Sequence, residues 1–207
     1  MKTNLFLTSI GAILFSVAGA NALEYRPFVG ASMGLSGLKY SNAIEDFARL
    51  NTADLPSDFF TFGFETGVRF GEYSKIYNGG VTLNLDMTTA SDITDLFTSV
   101  KYGKIKTLAL SATYDNYLRI SGDKTSRIDL VLGAGLGTMN YDINYEASTG
   151  LPSEKVYSPM FAFKAGLDFE LTKHITLSAV TRLFVPTRSG YDAHIQYNAG
   201  GAVRYVF

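Results

Sequence analysis

The chain has 207 residues, with 18 Lys and Arg against 19 Asp and Glu and a formal net charge of -1. This length suits a single domain, and the balanced charge gives no electrostatic basis for nucleic-acid binding. The sequence contains no Cys, which excludes a disulfide framework and a lipid anchor on a cysteine.

The N-terminus has the pattern of an export signal. Lys2 precedes an apolar stretch over residues 5–18, which is followed by Ala20, Asn21 and Ala22. A basic start, an apolar stretch and a small-residue site are typical of a cleaved secretory signal peptide. A transmembrane anchor is the alternative, but the apolar stretch is shorter than the roughly 20 residues of a spanning helix. We therefore expect a signal peptide over residues 1–22 and a mature domain over residues 23–207.

Eight segments that alternate between polar and apolar residues follow. They are 25–37, 59–70, 77–87, 106–120, 127–141, 158–171, 175–185 and 191–207. Alternation with period two predicts strands that have one polar and one apolar face. Eight is also the smallest strand number that closes a bacterial outer-membrane barrel. The sequence therefore predicts an all-β fold, an eight-stranded antiparallel up-and-down barrel.

Within each segment the alternate positions form two sets, one for each face of the predicted strand, and we call each set a parity. The charged residues share one parity, with Lys106 as the exception. The shared parity carries Arg26, Glu65, Arg69, Asp86, Asp115, Arg119, Arg127, Asp129, Lys164, Asp168, Glu170, Arg182, Asp192 and Arg204. Glycines recur on this parity, whereas Phe, Leu and Tyr fill the other. The interior of an eight-stranded barrel is only wide enough for side chains to fill. We therefore expect the small and charged face inside and the bulky apolar face against lipid, as in a transmembrane barrel. A soluble lipocalin-like carrier, with the apolar face inside, is the alternative.

The connections between segments alternate between long and short. Long loops are predicted at about 38–58, 88–105, 142–157 and 186–190, and short turns at 71–76, 121–126 and 172–174. Alternating lengths place all long loops at one end, and outer-membrane barrels have long extracellular loops and short periplasmic turns. In the second loop, one interpretation is a short helix over residues 92–100 with Ser91 as its cap. The alternative is ordinary packing of the loop's apolar residues against one another.

An ion-pair network is predicted inside the barrel. Glu65 lies mid-strand, and Lys164 and Arg182 lie on strands roughly opposite it, so we expect a carboxylate–cation bridge across the interior. A second tier is predicted toward the short turns, and its members are Arg26, Arg69, Asp115, Arg119, Arg127, Asp129, Asp168, Glu170 and Arg204. The network is interpreted as a structural plug, with a gated pore as the alternative.

No arrangement typical of catalysis, a cofactor or a metal site is apparent. Gly133, Gly135 and Gly137 repeat with period two, which indicates a smooth strand face and lacks the spacing of a dinucleotide-binding loop. His174 and His194 have no Ser–His–carboxylate pattern near them. We expect no enzyme activity and no cofactor. A lipid A-modifying enzyme remains an alternative, because barrels of this size also host catalysis.

The C-terminus carries a short motif that gains its weight from the export signal and the strand pattern. Val203, Tyr205 and Phe207 occupy alternate positions and the chain ends on Phe207. With the export signal and the strand pattern, the chain resembles the OmpA/OmpX/Opa-like superfamily of small outer-membrane β-barrels. In that superfamily such a terminal strand is the signal that the barrel-assembly machinery reads.

The resemblance implies an outer-membrane surface protein whose extracellular loops contact the surroundings as an adhesin, a surface antigen or an envelope component. Its partners would be outer-membrane lipid, the assembly machinery during biogenesis and a host or extracellular ligand, but not nucleic acid. OmpA itself has a peptidoglycan-binding domain after its barrel, and we expect no counterpart of that domain here, because the last predicted strand runs to Phe207.

Overall fold

The computed structural model describes residues 24–40, 53–54, 56–72, 75–95, 101–122, 127–146, 154–187 and 193–207. The regular structure in these ranges consists of strands. They are β1 (Glu24–Tyr40), β2 (Ala53–Asp54), β3 (Asp58–Gly71), β4 (Tyr77–Thr88), β5 (Ser91–Asp95), β6 (Lys101–Gly122), β7 (Arg127–Tyr145), β8 (Glu154–Glu170), β9 (Ile175–Pro186) and β10 (Ala193–Val206). The predicted signal peptide and the middle of each predicted long loop lie outside the described residues.

Eight of these strands form a closed antiparallel ring. Its order is β1, β3, β4, β6, β7, β8, β9 and β10, and β10 returns to pair with β1. The closing pair runs from Phe28 opposite Val206 to Tyr40 opposite Ala193. Closure gives every ring strand a hydrogen-bonded neighbour on both sides, which removes the open edges of a sheet. The predicted eight-stranded up-and-down barrel is confirmed.

The two ends of the barrel differ. The connections β3–β4, β6–β7 and β8–β9 lie at one end together with Glu24 and Phe207, and we call this the turn end. Gly71 and Gly122 finish β3 and β6 there with φ angles of 136° and 102°, a backbone conformation that glycine adopts without steric cost. The remaining connections lie at the opposite end, which we call the loop end.

The two faces of the wall are those that the alternation predicts. Phe62, Phe64 and Leu136 point outward and are between 46% and 63% exposed, whereas Glu65 and Asp115 point inward and are at most 3% exposed. The lipocalin-like arrangement, with the apolar face inside, is therefore wrong for the wall of this barrel.

Strands extend further toward the loop end than the sequence suggests. β1 continues to Tyr40, β7 to Tyr145, and β6 and β8 begin at Lys101 and Glu154. Two additional short strands continue this sheet, because β5 pairs with the first residues of β6 and β2 pairs with β5.

The helix predicted after Ser91 is wrong over the described residues. Ser91–Asp95 is strand β5, in which Ser91 lies opposite Ile105 and Ile93 opposite Gly103. Ile93 is buried while Asp92 and Thr94 are partly exposed. The backbone of β5 bonds to the edge that β6 offers beyond the end of β4, and this pairing outweighs the local helical preference.

Candidate functional site

The interior is built in layers, and the middle one is centred on Glu65 of β3. The Glu65 carboxylate accepts a hydrogen bond from Arg182 Nη2 at 2.9 Å and another from Arg204 Nε. Its side chain has no exposed surface. Two guanidinium groups from β9 and β10 therefore compensate one buried carboxylate, which is the arrangement that a buried charge requires.

Further charges complete this charged layer. Lys164 Nζ lies 2.7 Å from Asp115 Oδ2 and 4.0 Å from Glu65 Oε2. Arg182 also donates to Asp86 at 3.1 Å, and Arg204 also binds Asp168. The structure places Arg182 against Glu65, whereas the carboxylate nearest to Lys164 is that of Asp115 and not that of Glu65. The structure also places Asp115, Asp168 and Arg204 in this layer, although the sequence predicts them in the second tier.

A second charged layer lies nearer the turn end. Arg69 bridges Asp129 at 2.6 Å and Glu170 at 3.0 Å. Arg127 binds Asp129 at 2.6 Å, and Arg26 binds Glu170 at 3.1 Å. A cavity of about 20 Å³ separates part of this layer from the one around Glu65, which is space for about one water molecule.

Uncharged polar side chains lie on the loop-end side of Glu65. Ser36 donates to Asn198 Oδ1 at 2.6 Å and also contacts Thr61. Thr107 donates to Gln196 at 2.8 Å, and Gln196 donates in turn to Asn198 at 2.9 Å. These bonds join β1, β3, β6 and β10 across the interior, which is filled here by polar side chains.

An apolar layer closes the interior at the loop end. Its members are buried side chains from the inward face, and they are Leu38, Tyr40, Phe59, Ile93, Ile105, Ala109, Met139, Tyr141, Ile143, Met160, Ala162 and Phe184. The sequence does not predict this layer, because the parity of the charged residues assigns the inward face to small and charged side chains along its whole length.

The outward face changes polarity at the same height. Toward the loop end, β6 and β7 present Lys104, Lys106, Asp142 and Asn144 outward. Further down the same strands the outward residues are Leu108, Leu110, Leu132 and Leu136, all exposed. The wall is therefore apolar outside and polar inside over most of its length, and polar outside and apolar inside at the loop end.

The predicted C-terminal motif lies on the outward face of the closing strand. Val203, Tyr205 and Phe207 are about half to two-thirds exposed, and the rings of Tyr205 and Phe207 meet edge to face at 5.2 Å. His174 stacks on Tyr205, and its Nδ1 lies 2.9 Å from the backbone oxygen of Val206. The motif is thus an ordered aromatic surface at the turn end.

The described residues hold no helix long and apolar enough to span a membrane. They also contain no group of three or more His, Cys, Asp or Glu residues placed to bind a metal. His174 is engaged with the C-terminal strand as described above, and the side chain of His194 lies outside the described residues.

Comparison with known proteins identifies the fold. No protein-family model and no curated protein matches the sequence. Among solved structures, the barrel is similar to Ail, the attachment invasion locus protein of Yersinia pestis, with 17% identity, 89% of this chain and 99% of that chain covered, and a TM-score of 0.50. Neisserial surface protein A matches with 11% identity, 90% and 100% coverage and a TM-score of 0.52.

A third solved structure is also similar to this barrel at low sequence identity. OprG, an outer-membrane protein of Pseudomonas aeruginosa, is 12% identical, with 86% of this chain and 95% of that chain covered and a TM-score of 0.52. One solved structure of Ail contains the heparin analogue sucrose octasulfate. The chain therefore has the fold of the small outer-membrane β-barrel proteins, which confirms at the level of fold the resemblance drawn from the sequence.

Proposed function

We propose that this protein is an integral outer-membrane barrel that presents its loop end at the cell surface, as an adhesin, surface antigen or envelope component without enzymatic activity. In this proposal residues 1–22 direct export and are removed. Val203, Tyr205 and Phe207 are recognised by the barrel-assembly machinery. The turn end then faces the periplasm and the loop end faces the exterior.

The main support for this proposal is that the apolar face of the wall points outward over most of its length and inward at the loop end. An apolar outward face over a polar interior is stable only where the surroundings are apolar, as in a bilayer. Above that zone the outward face becomes charged and the interior becomes apolar, as in a protein surrounded by water. The boundary on β6 lies between Leu108 and Lys106, so in this proposal the strands continue beyond the lipid at the loop end.

The part of the sheet that lies beyond this boundary at the loop end supports a role in contact with macromolecules. It is a small sheet formed by β5 and the loop-end parts of β6, β7 and β8, and it has its own buried side chains, including Ile93, Ile105 and Ile143. A rigid scaffold that holds loops above a membrane suits binding, because loops positioned in this way commonly carry function. Ail, a barrel of the same fold, has been crystallised with a polyanionic ligand.

The filled interior argues against the alternative of a solute pore. The charged layers, the hydrogen-bonded polar side chains and the apolar layer follow one another along the axis. The inward surface of the described strands is dominated by residues that are less than a tenth exposed. Water-filled lumens are a feature of barrels with more strands than eight.

Epitope insertion tests the proposed orientation. We expect a tag inserted between Glu146 and Glu154 to be labelled by antibody on intact cells, because this connection lies at the loop end. A tag inserted between Gly122 and Arg127 is the matched control, since it lies in a connection at the turn end. It should be labelled only after the outer membrane is permeabilised. Labelling of the turn-end tag alone on intact cells would contradict the proposed orientation.

A further inference from the structure

A pair of lysines stands beside one carboxylate just above the apolar zone. Lys106 on β6 lies opposite Asp142 on β7, and Asp142 lies opposite Lys155 on β8. The two ammonium groups converge on the same oxygen, since Lys106 Nζ lies 3.2 Å and Lys155 Nζ 4.0 Å from Asp142 Oδ2.

The surface of this triad is cationic. The side chains of Lys106 and Lys155 are 52% and 64% exposed, whereas that of Asp142 is 11% exposed. The carboxylate therefore lies beneath the ammonium groups and holds them together, while it offers little surface to an approaching anion. Two cations share the one carboxylate, so a positive charge is left over at this position.

An apolar surface adjoins the triad on the side of the turn end. The next outward positions on the same three strands are Leu108, Asn140 and Tyr157. Leu108 is 40% exposed and Tyr157 is 63% exposed. Below them the outward face continues with Leu110 and Phe161. Tyrosines at such a position suit the boundary between acyl chains and polar headgroups.

The charged residues on the loop-end side of the triad do not cancel its excess positive charge. In the next outward row, Lys104 lies opposite Asn144 and Asp92. Asp92 is bound by Lys101 at 2.6 Å, and the hydrogen bond from this ammonium group lowers the pKa of the Asp92 carboxyl. Glu146 lies one outward step further from the apolar zone. The row nearest the lipid is therefore the one in which lysines outnumber carboxylates.

We propose that Lys106 and Lys155 bind the headgroup phosphate of a phosphorylated glycolipid in the outer leaflet, while its acyl chains lie along Leu108, Leu110 and Phe161. The inference rests on the proposed function, because it needs the loop end to face the outer leaflet. A lipid with several acyl chains and an anionic headgroup matches both parts of this surface. Basic side chains at a membrane surface attract anionic headgroups in this way.

Native mass spectrometry of the detergent-folded mature protein tests the proposal. The probe is lipid A carrying its phosphate groups, titrated against the wild type and the K106Q/K155Q variant. We expect the variant to bind about thirtyfold more weakly, the size of effect that two basic residues near an anionic lipid produce. Lipid A from which the phosphates have been removed should bind both proteins equally.

The chain offers a matched control with the same change of charge. Lys75 and Lys173 are exposed at the turn end, where the proposal places no outer-leaflet lipid, and K75Q/K173Q should bind lipid A like the wild type. Because K106Q/K155Q leaves Asp142 without its cations, K106R/K155R serves as the second variant and should retain binding. Addition of inorganic phosphate at millimolar concentration should not displace the lipid, since the acyl chains contribute to binding.

Three results would overturn the proposal. The first is that K106Q/K155Q binds lipid A with the same affinity as the wild type. The second is that K75Q/K173Q loses as much affinity for lipid A as K106Q/K155Q does. The third is that K106Q/K155Q loses as much affinity for the dephosphorylated lipid as for lipid A itself. Failure of the proposed function is a different observation, since it would appear as a wild-type chain that does not form a barrel in detergent.

Discussion

Replacing Glu65 by Ala is expected to lower the free energy of unfolding of the barrel by about 3–5 kcal/mol, the cost of removing one partner from a buried ion pair. Glu65 is the carboxylate that Arg182 and Arg204 share, and Lys164 lies 4.0 Å from it. Its removal leaves cations from three strands facing one another without this carboxylate. Urea unfolding of the refolded protein in detergent or lipid vesicles, followed by circular dichroism, measures the change.

Two variants control this experiment. Glu24→Ala removes a carboxylate from the exposed start of β1, and its unfolding should match that of the wild type. Glu65→Gln keeps the shape of the side chain without its charge, so its stability should fall between those of the wild type and Glu65→Ala. If Glu65→Ala unfolds at the same urea concentration as the wild type, the ion-pair layer does not stabilise the barrel.

The same variant addresses the alternative of a gated pore. Planar-bilayer recordings of Glu65→Ala should show no channel currents, because the apolar layer that includes Tyr141, Met160 and Phe184 still closes the loop end. Stepwise currents that appear only in Glu65→Ala would instead favour a pore that the ion pair keeps shut.

The second large effect is expected at the seam where the barrel closes. Gly34 of β1 lies opposite Gly200 of β10. A Cβ atom at Gly200 would lie 2.1 Å from the backbone oxygen of Met33 and 2.7 Å from Gly34 Cα, so the backbone itself must move. We expect Gly200→Ala to destabilise the barrel by about 2–3 kcal/mol, as overpacking does when backbone must shift. Urea unfolding in detergent measures this change.

The neighbouring glycine provides the control. Gly201 points outward, and a Cβ atom there would meet Ser178 O at 3.6 Å, an ordinary contact. Gly201→Ala should therefore unfold at the same or a slightly higher urea concentration than the wild type, because alanine restricts the unfolded chain. Equal destabilisation by the two substitutions would mean that the close approach of β1 and β10 does not limit the seam.

The ring and its faces could be predicted from the sequence because strand alternation is a local property. The parity of Glu65, Lys164 and Arg182 alone is enough to place them in one interior. Their partners depend on the register between strands, which alternation does not determine. Arg204 was therefore predicted in a lower tier, although its side chain reaches both Glu65 and Asp168.

The polarity of the loop end is not predicted from the sequence for a related reason. Lys106 is the charged residue that lies on the apolar parity, at the end of its predicted strand. In the structure it marks the height at which the two faces exchange polarity, together with buried Ile105 and Tyr141. Polar and apolar residues alternate with a period of two on both sides of that boundary. What changes there is which face carries the apolar residues. The short strand at Ile93 depends on pairing with β6, which is not a local property.

The most direct test of the account is whether the mature chain, residues 23–207, folds only where its outward apolar face is covered. Refolding with and without detergent, followed by circular dichroism and by gel mobility of boiled and unboiled samples, gives the answer. We expect a β-rich, heat-modifiable species in detergent and aggregation in plain buffer. A soluble, monomeric β-structure in plain buffer would contradict the account, because Phe62, Phe64 and Leu136 would then have to lie inside.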